Sequence, residues 1–354
     1  MRTAPTPRKG RGAPTNRVGR FERWVREQAD DGWGGLEAEP AALETTLVAD
    51  ESRSVIATND SPDVPFDRSV NPYRGCEHGC VYCFARPSHA YLGYSSGLDF
   101  ETRILYKPRA AELLAAELAR PGYRCTPLTL GANTDPYQPV ERRLGLTRQV
   151  LEVLRDFRHP VTVVTKSSLV ERDLALLQEM ARDGLAEVRV SVTTLDRGLA
   201  RRMEPRATAP AQRLETIRRL AEAGIPVGVL FAPAIPGLND AEMESVLAAA
   251  REAGASGAGY VLLRLPLELA DLFRDWLALH YPDKAARVLG LLRETRGGRD
   301  YDSRFGVRMR GTGPIADLIA RRFDLASRRL GYGDTAPLDT TRFRLPGARQ
   351  LALF

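Results

Sequence analysis

Between residues 127 and 280 the chain alternates two hydrophobic patterns. Short, nearly continuous β-branched runs predict strands: PLTLGAN (127–133), PVTVVTK (160–166), AEVRVSVTT (186–194), IPVGVLFAP (225–233) and GYVLLRL (259–265). The intervening stretches 146–157, 169–184, 211–224 and 241–254, and the stretch 268–280 that follows, repeat apolar residues at helical spacing. Gly184 and Gly224 read as the residues just past two of these helices, and Asp240 as the N-cap of another. Strands without polar alternation are buried on both faces, which requires a parallel sheet covered by helices. With Asn71–Cys76 as a first strand, the rhythm makes about six βα units over residues 68–280. A closed eight-stranded barrel needs ~250 residues. The expected fold is therefore α/β, a partial (β/α)6 parallel barrel with an N-terminal extension and a helical C-terminal cap. Residues 1–66 make the arm and extension, 67–282 the barrel, 283–332 the cap and 333–354 a flexible tail. The first 20 residues, rich in Arg, Gly and Pro, read as a disordered arm.

Composition narrows the class. Hydrophobic residues make up 43% and charged residues 27% of the 354, as in ordinary globular proteins. No apolar run approaches the ~18 residues of a membrane span, and the basic N-terminus lacks the apolar stretch of a secretory signal. The expected compartment is the cytoplasm, with no membrane partner. A net charge of +6 favours acidic partners, nucleic acid among them.

Three of the four cysteines fall within eight residues, in NPYRGCEHGCVYCFAR. That clustering points to a metal site or redox chemistry. Thiolates from Cys76, Cys80 and Cys83 can hold three irons of a 4Fe–4S cube and leave the fourth open, whereas electron carriers use four cysteines. Gly75 and Gly79 let such a loop bend tightly, and Tyr82 precedes the third cysteine. The alternative is a structural zinc site with His78 or His89 as fourth ligand. His78 otherwise reads as a solvated loop residue. In parallel α/β folds the chemistry sits just past the C-terminal ends of strands. The polar residues at those positions are Asp135, Lys166, Ser191 and Thr193, with Glu204 in RRMEPR a further carboxylate.

The Cys-x3-Cys-x2-Cys spacing, with an aromatic before the last cysteine, resembles the defining motif of the radical S-adenosylmethionine (SAM) superfamily. The stretches TDPYQPVE, VTKSS and PAIPGLND resemble its branch related to spore photoproduct lyase, described as DNA repair photolyases. The resemblance implies a 4Fe–4S cluster on Cys76, Cys80 and Cys83 and cleavage of SAM to a 5′-deoxyadenosyl radical. It also implies a SAM site at the strand ends. There Asp135 would take the ammonium, Lys166 the carboxylate and Ser191 a ribose hydroxyl, with Tyr82 beside the cluster. The superfamily's Gly-Gly-Glu element is absent here. The cysteine that returns a hydrogen atom in spore photoproduct lyase corresponds to about Asn133, and Cys125 precedes the strand instead. The expected substrate is a nucleic-acid base or lesion. Modification of a protein or small metabolite is the alternative activity, and a non-catalytic Fe–S or zinc-bearing adaptor the alternative class. An electron donor such as flavodoxin or ferredoxin is implied. Gln350, Leu351, Leu353 and Phe354 close the chain in a pentapeptide similar to the motif that binds the bacterial sliding clamp.

Overall fold

The computed structural model describes residues 8–22, 43–333 and 335–347. Ten strands are described, in chain order β1 (Thr46–Ala49), β2 (Ile56–Thr58), β3 (Arg68–Val70), β4 (Tyr73–Arg74), β5 (Arg103–Tyr106), β6 (Leu128–Leu130), β7 (Val161–Thr165), β8 (Ala186–Ser191), β9 (Val227–Ala234) and β10 (Gly257–Leu262). Seven form one sheet in the order β10-β9-β8-β7-β6-β3-β2. Pairing is parallel from β3 through β10, and β2 adds an antiparallel edge. Successive strands are neighbours, as in a barrel winding, but β10 and β2 do not pair. The expected partial α/β barrel with six parallel strands is thus the observed architecture.

The strands form where β-branched residues run together, because these pack well on a pleated surface buried on both sides. In β7, Val161, Val163 and Thr165 occupy buried positions, and β8 is buried along almost its whole length. Helices cover the outer face through apolar stripes, such as Leu146, Val150, Leu151 and Leu154 on the helix Leu146–Asp156. Gly184 and Gly224 adopt the left-handed conformation past two helices, as expected. The helix Pro282–Glu294 packs on Glu268–His280, and Pro314–Arg329 packs on Met243–Glu252. No helix among the described residues is long and apolar enough to cross a membrane.

Several expectations are corrected. The first barrel strand is Arg68–Val70 rather than Asn71–Cys76. Pro72 has no N–H for the ladder, and Tyr73–Arg74 turn away to pair with β5 in a second, three-stranded sheet of order β1-β5-β4. Asp240 is not the cap of a helix starting at residue 241. It accepts the Gly237 N–H at 2.8 Å, and the α-helix proper starts at Met243. Residues 8–22 of the arm are held rather than loose. Asn16 and Asp99 exchange two hydrogen bonds of 3.1 Å, Arg20 pairs with Glu268 at 2.5 Å and Arg17 with Asp271 at 3.0 Å. The arm's arginines face acids clustered on one helix, and nothing in the local sequence marks that pairing.

Residues 335–347, expected within a flexible tail, also lie against the fold. Phe343 packs on Tyr123, Phe157 and His159, and the Arg344 N–H donates to the Phe157 carbonyl at 3.0 Å. The clamp-like residues Gln350, Leu351, Leu353 and Phe354 lie outside the described residues.

Candidate functional site

The cysteine loop follows β4 and lies at the end of the sheet where β6, β7 and β8 finish. Its shape is set by backbone contacts. The Cys76 N–H donates to the Phe100 carbonyl at 2.9 Å and the Val81 N–H to the Met203 carbonyl at 2.9 Å. Gly75 and Gly79 both have positive φ, 80° and 67°. A Cβ on Gly79 would stand 2.7 Å from Glu101 Oε2, so only glycine fits there. Cys76 and Cys80 are buried, and Cys83 is partly exposed. Cys83 packs both with the group containing Cys80, Val81 and Tyr82 and with the group containing Cys76 and Phe100.

Two side-chain clamps that the sequence did not reveal hold this loop. Gln138 is fully buried; its carbonyl accepts the Glu77 N–H at 2.9 Å and its amide donates to the Gly75 carbonyl at 3.2 Å. Arg86, also fully buried, donates from Nε to the Cys80 carbonyl at 2.8 Å and from Nη2 to Glu101 at 2.5 Å. The same Glu101 carboxylate accepts the Gly12 and Ala13 N–H groups of the arm at 3.0 and 2.8 Å. The arm therefore touches the loop directly, and a Cβ on Gly12 would lie only 1.8 Å from the Gly79 carbonyl oxygen.

At the strand ends the predicted residues do converge, with different tasks. Asp135 is buried and its carboxylate accepts three hydrogen bonds. Oδ1 accepts from Thr165 Oγ1 at 2.7 Å and Tyr137 N at 2.9 Å, and Oδ2 accepts from Lys166 N at 2.7 Å. His78 Nδ1 lies 3.3 Å from Oδ2, so His78 is a buried partner of Asp135 and not a solvated loop residue. Burial alone would raise the Asp135 carboxyl, but His78, the Lys166 N–H and the Thr165 hydroxyl hold it down at about 2. Asp135 thus ties the β6 loop to the end of β7 and to the cysteine loop.

Lys166 is free by comparison. Its Nζ stands 5.9 Å from the centre of the Tyr82 ring, and among the described residues no carboxylate lies within ion-pair distance of it. Ser191 is buried at the end of β8, where its carbonyl accepts from Arg213 Nη1 at 3.0 Å. Tyr82 is buried, with its hydroxyl donating to Glu204, and burial followed by the nearby Cys80 and Glu204 charges raises its phenol. Glu204 also accepts from Thr193 Oγ1 at 2.7 Å and pairs with the buried Arg213. Burial would raise the Glu204 carboxyl, yet Arg213 and Lys166 hold it at about 2. It stays charged at neutral pH and is no proton donor there. Thr193, whose hydroxyl serves Glu204, is drawn into the same network.

Arg264, just past β10, was missed. Its guanidinium carbon lies 4.2 Å from the centre of the Phe84 ring, and burial and then neighbouring Arg308 lower its pKa. Among the described residues it has no ion pair. Nothing in RLPLEL distinguishes it from a surface arginine. His89 is buried beside Gly75, with Nε2 2.9 Å from the Arg103 carbonyl. Cys125 precedes β6, at the opposite end of the sheet from the cysteine loop.

The donor set suits a cluster. Burial, then Asp135 and the other cysteines, raise the Cys76 thiol; burial, then Glu204, raises Cys80 to about 12. Buried thiols of this kind become thiolates only with a strong positive charge beside them, which bound iron would supply. Among the described residues no three His, Cys, Asp or Glu side chains are gathered around one ion-sized point. A cube takes each thiolate at a different iron and does not need such a point.

A parallel partial barrel with a three-cysteine loop at the C-terminal end of its strands belongs to a class of folds whose active sites lie at that end of the sheet. The profile of the radical SAM superfamily matches residues 70–250, and the chain belongs to that superfamily. An uncharacterized protein of Mycobacterium tuberculosis is 38% identical over 232 residues, 65% of this chain and 68% of that one. An uncharacterized protein of Acidianus two-tailed virus is 30% identical over 166 residues, 46% of this chain and 54% of that one. Spore photoproduct lyase complexed with dinucleoside spore photoproduct is similar in fold, with a TM-score of 0.54 at 18% identity, over 80% of this chain and 78% of that one.

Proposed function

We propose that this protein holds a 4Fe–4S cluster on Cys76, Cys80 and Cys83, binds S-adenosyl-L-methionine beside it, and acts on a nucleic-acid base or lesion. The observation that carries this reading is the juxtaposition of three thiols on one loop with the unpaired ammonium of Lys166. When bound, the cluster and SAM would supply a one-electron cleavage that generates a 5′-deoxyadenosyl radical. The chain's own residues hold, orient and exclude. Lys166 offers a charge-assisted contact to the SAM carboxylate. Asp135 fixes the Lys166 backbone, and Tyr82, held by Glu204, packs beside the loop. Ser191 lines the end of β8 where the ribose would lie. Val81, Met203, Ile235 and Leu263 are buried in the apolar group next to the cysteines and keep water away.

The nucleic-acid substrate is supported by the basic charge of the chain and by the likeness in fold to spore photoproduct lyase. The reducing electron would come from a donor such as flavodoxin or ferredoxin, and the pentapeptide at residues 350–354 would offer a tether to a sliding clamp.

Anaerobic reconstitution tests this reading. The protein should take up about four irons, and with dithionite it should convert SAM to 5′-deoxyadenosine. Cys80→Ala should lose the iron, whereas Cys125→Ala should retain it. Lys166→Ala should keep the iron and weaken SAM binding by on the order of 1.5–3 kcal/mol, the worth of a hydrogen bond to a charged group. Full iron in the Cys80→Ala protein would refute the cluster. Faster turnover with a peptide or metabolite mixture than with irradiated DNA would remove the nucleic-acid substrate.

A further inference from the structure

Beside the cysteine loop lies a cavity of about 390 Å³ whose polar lining has one sign of charge. Arg8, Lys9 and Arg11 line it from the arm, Arg201 and Arg202 from the helix Arg197–Met203, and His280 from the end of the helix Glu268–His280; no Asp or Glu lines it. The Arg11 N–H donates to the Arg8 carbonyl at 3.0 Å, closing a turn with Gly10 at φ 72°. Burial, and then Arg206, lower the pKa of Arg11 against the opposing pull of Glu101 and Glu77, and burial followed by Arg202 lowers that of His280, as expected where cations crowd.

Many surface arginines of this protein are neutralised within the chain, for example Arg109 by Glu112, Arg148 by Glu152, Arg219 by Glu171 and Arg322 by Glu244. The cavity differs. Among the described residues Arg8, Lys9 and Arg201 have no ion pair, and Arg202 donates only to the Tyr281 hydroxyl, at 2.8 Å. Their unused donors face a space of the size that takes a nucleotide.

The cavity also adjoins the site. Gly12 and Ala13 form part of its wall, Gly12 abuts the Gly79 carbonyl, and Ala13 packs in the same apolar group as Cys80 and Tyr82. Arg201 and Arg202 sit just before Glu204, which holds Tyr82. A chain of phosphates lying in the cavity would run past the mouth of the site.

We infer that this cavity binds the phosphodiester backbone of a nucleic-acid strand and positions the strand beside the cysteine loop. The inference rests on the nucleic-acid reading above and names the surface that would hold the strand.

The test is fluorescence anisotropy with a fluorescein-labelled single-stranded 12-nucleotide DNA across a salt series, using the full chain. The variant R8Q/K9Q/R201Q should bind at least tenfold more weakly than the parent. Its slope of log affinity against log salt should be shallower by about 2, since each phosphate contact on a single strand contributes ~0.7. R321Q/R328Q/R329Q, with the same charge change on the helix Pro314–Arg329, should stay within twofold. Should the first triple variant melt early, Arg201→Gln alone, on an exposed helical position, should weaken binding about threefold. Equal weakening in both triple variants, unchanged affinity in the cavity variant, or no binding by the parent would overturn the inference. Displacement of the strand by 10 mM inorganic phosphate at constant ionic strength would reduce the cavity to a small-anion site and overturn it as well. Iron content and SAM cleavage are measured on the same preparations. Loss of strand binding with intact iron chemistry separates failure at the cavity from failure of the cofactor reading.

Discussion

Replacing Arg86 by Met is expected to destabilise the protein by about 3–5 kcal/mol, the usual consequence of leaving one member of a buried ion pair without its partner. Arg86 is fully buried and spends its donors on four oxygens: the carbonyls of Cys80 at 2.8 Å, Ser96 at 3.1 Å and Gly97 at 2.8 Å, and Glu101 Oε1 at 2.5 Å. Methionine fills much of the volume but offers no donor. The Glu101 carboxylate would then keep only the Gly12 and Ala13 amides and the Arg86-bound carbonyls would lose their partner. Urea titration of the parent and the variant measures the loss. Because the freed Cys80 carbonyl belongs to the cysteine loop, iron retention should fall along with stability. A double variant, R86M with E101L, should recover part of the lost stability, since an apolar pair removes the stranded charge. A single variant within 1 kcal/mol of the parent would show that Glu101 finds another cation or protonates at little cost.

Asp135→Asn should cost about 2–3 kcal/mol, because an amide must turn its NH2 toward a donor. The carboxylate accepts from Thr165 Oγ1, Tyr137 N and Lys166 N, and His78 Nδ1 lies 3.3 Å away. Asparagine satisfies one oxygen's partners and opposes the other's. The pH dependence gives a second reading. Asp135 and Glu204 are each held at about 2 in the folded protein, below the ~4 of an unfolded carboxyl. A depressed carboxyl contributes its full stabilisation above the unfolded value and loses it as pH falls through the folded one. Each contributes roughly 2–3 kcal/mol at neutral pH, lost between about pH 5 and pH 2. The parent should show a steep fall in Tm over that window, and Asp135→Asn a shallower one. Equal slopes would mean that Asp135 titrates as it does in the unfolded chain.

The sequence by itself determined the parallel α/β class, the five later strands, and the helices Leu146–Asp156, Pro210–Glu222 and Glu268–His280 within a residue or two. It also determined the cysteine loop and the strand ends that carry Asp135, Lys166 and Ser191. These features are local: β-branched runs, helical periodicity and cysteine spacing are written in consecutive residues. What only the tertiary structure decided depends on partners far apart in the chain. The first strand shifted to Arg68–Val70 because β6 offers its pairing partner there, while Tyr73–Arg74 found β5. His78 became buried because Asp135 lies across from it. Gln138, Arg86, Glu101 and Arg213 look like surface residues in the sequence. Each is buried because its hydrogen-bond partners arrive from other segments, and burial without those partners would cost several kcal/mol. The docking of the arm follows the same rule. Gly12 carries no local signal, but Gly79 and Glu101, more than 60 residues away in sequence, leave it room only for a hydrogen atom in place of a side chain.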